Sequence, residues 1–140
     1  MAENEVYMTR KEAREAAFLL LFEQDFGANP ADETIALAAT ERELKISGFG
    51  KGLFFGTCEH LEEINAKLET ALHNWRSERV SKVALSAMRL CVYELCYTDI
   101  ESEIAINEAL ELIKKFDGEE SASFANGVLG GVYKAVKGVS

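Results

Sequence analysis

The chain has 140 residues, of which 48% are hydrophobic and 28% charged, and its formal net charge is −9. This composition fits a soluble globular domain able to bury one core and excludes a disordered chain. The acidic balance argues against indiscriminate binding to DNA or anionic membranes, yet screening over about 10 Å leaves room for a local cationic site.

The opening "MAENEVYMTR" is acidic where a secretory signal is basic, and no apolar run reaches the roughly 18 residues of a membrane span. A cytoplasmic location is the expectation. With one proline, Pro30, and no low-complexity tract, residues 1–140 read as a single domain, with residues 1–8 a flexible lead-in.

The first helix is expected to start at Thr9, because Thr9 and Glu12 form a T-x-x-E capping box. Ala13, Ala16, Ala17, Leu20, Leu21 and Gln24 follow at helical spacing, and Gly27 to Pro30 end the run. Arg10, Lys11 and Arg14 cluster at its start. A solvated first turn with pairs such as Lys11–Glu15 explains them, and so does a site for an anionic polymer. Over residues 1–16 four acids accompany these three cations, so the segment alone favours the first explanation.

A second helix is expected over about 32–45, then a loop or helix start at "ISGFGKG", then a long third helix over 51–75 carrying Leu53, Phe54, Leu61, Ile64, Leu68 and Leu72. Ser81 is a fair N-cap for a helix over 82–97. Leu85, Met88, Val92, Leu95 and Cys96 make that helix apolar on more than one face, which marks it as central. A helix over 103–116 turns Ile106, Leu110 and Ile113 inward and stops at Gly118. The last helix starts at Ser121 or a neighbouring acid and repeats Phe124, Val128, Val132 and Val136 at intervals of four. The expected fold is therefore all-α, a compact bundle of about six or seven helices.

Gly127, Gly130 and Gly131 lie inside that last helix, where each costs roughly 0.5–1 kcal/mol against alanine. Close packing of a neighbouring helix, or a surface left open for a partner's backbone, would each account for them. Phe124 and Asn126 lie about 200° apart around the helix and so face differently.

No catalytic constellation is present: no phosphate loop, no G-x-S-x-G, and no Glu-x-x-His for a di-iron bundle, since Thr57 and Thr70 precede His60 and His73 by three. Cys58, Cys91 and Cys96 form no CxxC and read as buried reduced thiols. No enzymatic role, cofactor or metal is expected.

Three blocks carry a resemblance. "AINEALELIKKFDGEESASFANGVLGGV" (105–132) looks like the signature of the transcription antitermination factor NusB family. "SKVALSAMRLCVYELCY" is similar to the family's central helix, and "TRKEAREAAFLLLF" to its first. The resemblance implies an all-α fold of two packed helical subdomains without an active site. It also implies binding of the boxA element of nascent ribosomal RNA together with NusE, a small-subunit ribosomal protein, in an RNA polymerase complex with other Nus factors that suppresses termination. Carried over, it nominates Arg10, Lys11 and Arg14 for phosphate contacts, Arg14 foremost, with Phe124 and Asn126 on the neighbouring RNA surface. The family's NusE surface points to Tyr93, Glu94 and the 99–108 stretch, with Asp99, Glu101 and Glu108. Some proteins of this fold self-associate, so a homodimer is a further possible partner state.

The chain also departs from the family pattern: Glu12 follows Arg10 and Lys11 where arginines often continue, Ala84 replaces an aspartate, and Gly130 replaces an acid. Fewer cations predict weaker RNA binding by the free protein and a larger share from NusE. The competing reading is a helical protein–protein interaction module without specific RNA binding.

Overall fold

Thr9 and Glu12 cap the first helix reciprocally. The Thr9 amide donates to Glu12 Oε1 at 2.8 Å, and the Glu12 amide donates to Thr9 Oγ1 at 3.0 Å. The computed structural model describes residues 8–26, 31, 34, 46–72 and 80–138. Among them are six helices and no strand: α1 (Arg10–Phe26), α2 (Gly48–Glu59), α3 (Leu61–Leu72), α4 (Lys82–Tyr97), α5 (Ser102–Asp117) and α6 (Glu119–Lys137). The expected second helix over 32–45 lies outside the described residues except for Thr34. The lead-in expected over residues 1–8, except for Met8, and the end of the expected third helix also lie outside them.

The chain divides into two compact units, residues 1–59 and 60–140. In the first, α1 packs against α2. Ala13, Ala16, Ala17, Leu20 and Leu21 are buried as their spacing predicts, and Phe18 is buried with them. The small residues let α2 approach closely. A Cβ built on Gly50 would lie 2.6 Å from Ile46 Cγ1 and 3.3 Å from the Ala13 carbonyl oxygen, so only glycine fits this contact unchanged. Ser47 holds the start of α2, its hydroxyl accepting from the Gly50 amide at 3.2 Å. "ISGFGKG" is thus a helix start.

In the second unit α4 is central, packing against α3, α5 and α6. Leu85, Met88, Cys91, Val92 and Leu95 are buried along it, and Ser81 caps it by accepting from the Ala84 amide at 3.0 Å. The Ser81 hydroxyl also donates to Asp117 Oδ2 at 2.7 Å, tying the start of α4 to the end of α5. Gly118 stops α5 at φ 96°, a conformation that disfavours side chains, and its amide reaches the carbonyls of Ile113 and Lys114.

Several expectations change. The long third helix is two helices that meet at His60. The Thr57 hydroxyl bonds back to the Leu53 carbonyl at 2.7 Å, and the Ile64 amide starts a new ladder on the His60 carbonyl at 3.0 Å. Leu61, beside that junction, is exposed instead of buried. The inward stripe of α5 is Ala105, Ala109, Leu112 and Ile113, with Ile106 and Leu110 half-buried at its margin. The last helix keeps to expectation, beginning at Glu119, an acid near Ser121 and directly after Gly118. Of the cysteines, all free, only Cys91 is fully buried; Cys58 and Cys96 are half-buried.

Candidate nucleic-acid interface

Arg10 and Lys11 are the first two residues of α1, and both are exposed. Cations here sit at the positive end of the helix dipole, which costs about 0.3–1 kcal/mol, with Glu12 in the same turn as a partial offset. The two cations and the helix dipole thus have the same sign at this helix end. An anionic ligand is the species that such an arrangement attracts.

The Arg10 guanidinium carbon lies 3.8 Å from the centre of the Phe49 ring. Arg14, one turn further along α1, lies 5.6 Å from the same ring centre. Both are within cation–π range. Arg14 is only 7% exposed, which leaves its guanidinium little surface to offer a phosphate. Of the two guanidinium groups over this ring, Arg10 belongs to the exposed residue and Arg14 to the buried one.

The other candidates belong to the second unit. On α6, Phe124 is half-buried and Asn126 exposed, as their angular separation predicts. On α4, Tyr93 belongs to a layered aromatic group: His60 stacks on Tyr97 with centres 3.9 Å apart, and Tyr93 lies 5.7 Å from Tyr97 and 6.1 Å from His60. Glu63 fixes the outer edge, accepting from the Tyr97 hydroxyl at 3.3 Å and lying 3.3 Å from His60 Nδ1. Desolvation, then the Glu63 carboxylate, raise the Tyr97 phenol above its ordinary value. Asp99 and Glu101 are exposed at the α4–α5 turn, and Glu108 is half-buried on α5.

Residues 11–134 match the NusB family. The chain belongs to that family. The transcription antitermination protein NusB of a Nitratiruptor species is 44% identical over 133 residues, spanning 92% of this chain and 94% of that protein. NusB of Clostridium botulinum (strain Kyoto / Type A2) is 39% identical over 140 residues, spanning 88% of this chain and 98% of that protein. Among solved structures, the crystal structure of antitermination factors NusB and NusE in complex with dsRNA matches with a TM-score of 0.80. The identity is 29%, over 96% of this chain and 99% of the matched one.

Two features of this NusB-family chain escape the sequence reading. Glu94, nominated for the partner surface, is 2% exposed, so it is a core carboxylate of α4 and not a surface contact. Phe49 is the other. Its only local sign is an aromatic residue set between glycines in "GFGKG", and nothing in the sequence pairs it with a residue 39 positions earlier.

Proposed function

We propose that this NusB-family protein is a transcription antitermination factor that binds boxA RNA of nascent ribosomal RNA transcripts together with NusE. In the elongating RNA polymerase complex, with the other Nus factors, it helps the enzyme read through terminators. It works in the cytoplasm by binding alone, without catalysis.

The observation that carries this reading is the exposed Arg10–Lys11 pair at the positive end of α1. RNA recognition combines cations on phosphates with stacking or hydrogen bonds at splayed bases. Arg10 and Lys11 supply the first element, with Arg14 supporting them from its buried position. Phe124 and Asn126 supply an aromatic edge and an exposed amide for the second. Tyr93, Asp99, Glu101 and Glu108 form the NusE-facing set, in which the acids suit a cationic partner surface.

The test compares boxA RNA with a scrambled RNA, with and without NusE, for the wild type and Arg10→Ala. Preferential boxA binding that strengthens with NusE and weakens in Arg10→Ala is expected. Equal affinity for both RNAs would replace this reading with that of a protein–protein interaction module.

A further inference from the structure

We propose that Phe49 is a positioning residue of the RNA-binding face, holding the Arg10 guanidinium flat so that its N–H edge is presented to a phosphate. The proposal rests on the RNA-binding reading of α1 given above.

An exposed arginine has many rotamers, and a phosphate contact must overcome whatever part of that freedom is lost. With its carbon 3.8 Å from the Phe49 ring centre, the Arg10 group sits on a surface that favours one placement before any phosphate arrives. The two contacts do not compete. A ring attracts the flat face of a guanidinium, whereas a phosphate takes the N–H groups along its edge.

The surroundings hold the ring in place. Phe49 lies in the first turn of α2, next to Gly50, whose missing side chain permits the close approach to the Ala13 carbonyl on α1. The Ser47 cap fixes that turn. Arg14, little exposed, lies over the same ring with its guanidinium carbon 5.6 Å from the centre. Phe49 itself is half-buried, as a ring packed on one side and carrying an exposed cation should be. The sequence elements involved, "TRKEAR" and "SGFG", come from two helices and meet only through the packing of α1 on α2.

A double-mutant cycle on the full chain tests this, using a fluorescent boxA oligonucleotide with NusE present. The proteins are wild type, Arg10→Ala, Phe49→Leu, the double variant and Phe49→Tyr. Leucine keeps apolar volume but removes the ring; tyrosine keeps the ring. Phe49→Leu should weaken binding roughly two- to fivefold, the range of an exposed cation–π contact. Phe49→Tyr should restore it, and the double variant should bind no more weakly than Arg10→Ala. In the free protein, the Arg10 side-chain protons should lose their ring-current shift in Phe49→Leu and keep it in Phe49→Tyr.

Additive losses would overturn the proposal, because they would mean that Phe49 contacts RNA on its own account. Wild-type affinity in Phe49→Leu alongside a weakened Arg10→Ala would overturn it while leaving the RNA reading intact. Wild-type affinity in Arg10→Ala would remove both.

Discussion

Arg14 and Lys11 lie three residues apart on one helix, yet the structure gives them different duties. Arg14 is 7% exposed and directed to Phe49, so truncation leaves its neighbours without a buried partner. Arg14→Ala should cost about 1–3 kcal/mol of folding stability. Lys11→Ala, at an exposed position, should stay within about 0.5 kcal/mol of wild type while still weakening RNA binding. Urea unfolding of both variants checks the split, and equal stabilities would refute it. The thiols give a second handle. Burial pushes the Cys58 thiol up to about 11 from its usual 9.0, and burial followed by the Glu94 carboxylate pushes Cys91 higher still. The folded protein thus holds these protons more tightly than the unfolded chain does. Their contribution to stability is complete below pH 9.0 and declines as pH rises toward 11 and beyond. Denaturation midpoints measured from about pH 8 to 11 should fall, with a shallower fall in Cys58→Ala; an unchanged slope would dismiss Cys58 as a source.

The last helix carries a different kind of test. Cβ atoms built on Gly127 and Gly130 meet nothing within 4 Å, and one on Gly131 meets only Ala71 Cβ at an ordinary 3.6 Å. Close helix packing therefore does not account for the first two. Gly127→Ala and Gly130→Ala should each raise stability by about 0.5–1 kcal/mol. Gly118→Ala, with equally open space but φ at 96°, should lower it by about 1–2 kcal/mol. Thermal unfolding of the three variants separates helix propensity from backbone strain, and a destabilised Gly130→Ala would contradict the open surface. The same helices mark the reach of sequence reading. Thr9 with Glu12, Ser81 and Gly118 were legible because caps and stops are chemistry among residues close together in the chain. The break at His60 was not, since apolar spacing runs through it from Phe54 to Ile64 without a proline or glycine at the junction. Nor were the burial of Arg14 and the seat of Arg10 on Phe49, which arise from packing between helices distant in sequence. Glu94 is misplaced for a related reason: the resemblance nominates it by its place on the central helix, and only the helices packed around α4 bury it.

For the molecule as a whole, the proposed function raises the question of how a chain of net charge −9 would take hold of RNA. Affinity for RNA phosphates comes from released counterions, and each neutralised phosphate contributes about −0.7 to the slope of log K against log salt for a single strand. Two exposed cations at the start of α1, Arg10 and Lys11, set a slope of about −1.4 for the free protein. Between about 50 mM and 200 mM salt that amounts to roughly a sevenfold loss of affinity, a small electrostatic stake by the standards of nucleic-acid binding. The remaining acids repel RNA only weakly beyond a screening length, so they favour discrimination without preventing contact. Tight binding then has to come from base contacts, which are salt-insensitive, or from cations that a partner brings. The exposed Asp99 and Glu101 suit the second route, since acids attract a cationic surface, and a partner so held would bring its cations to the RNA. A salt titration of boxA binding should accordingly give a shallow slope for the free protein and a clearly steeper one with NusE. Arg10→Ala should flatten the free-protein slope by about 0.7. A free-protein slope of about −3 or steeper would show that cations beyond Arg10 and Lys11 reach the RNA, and the dependence on NusE would have to be abandoned.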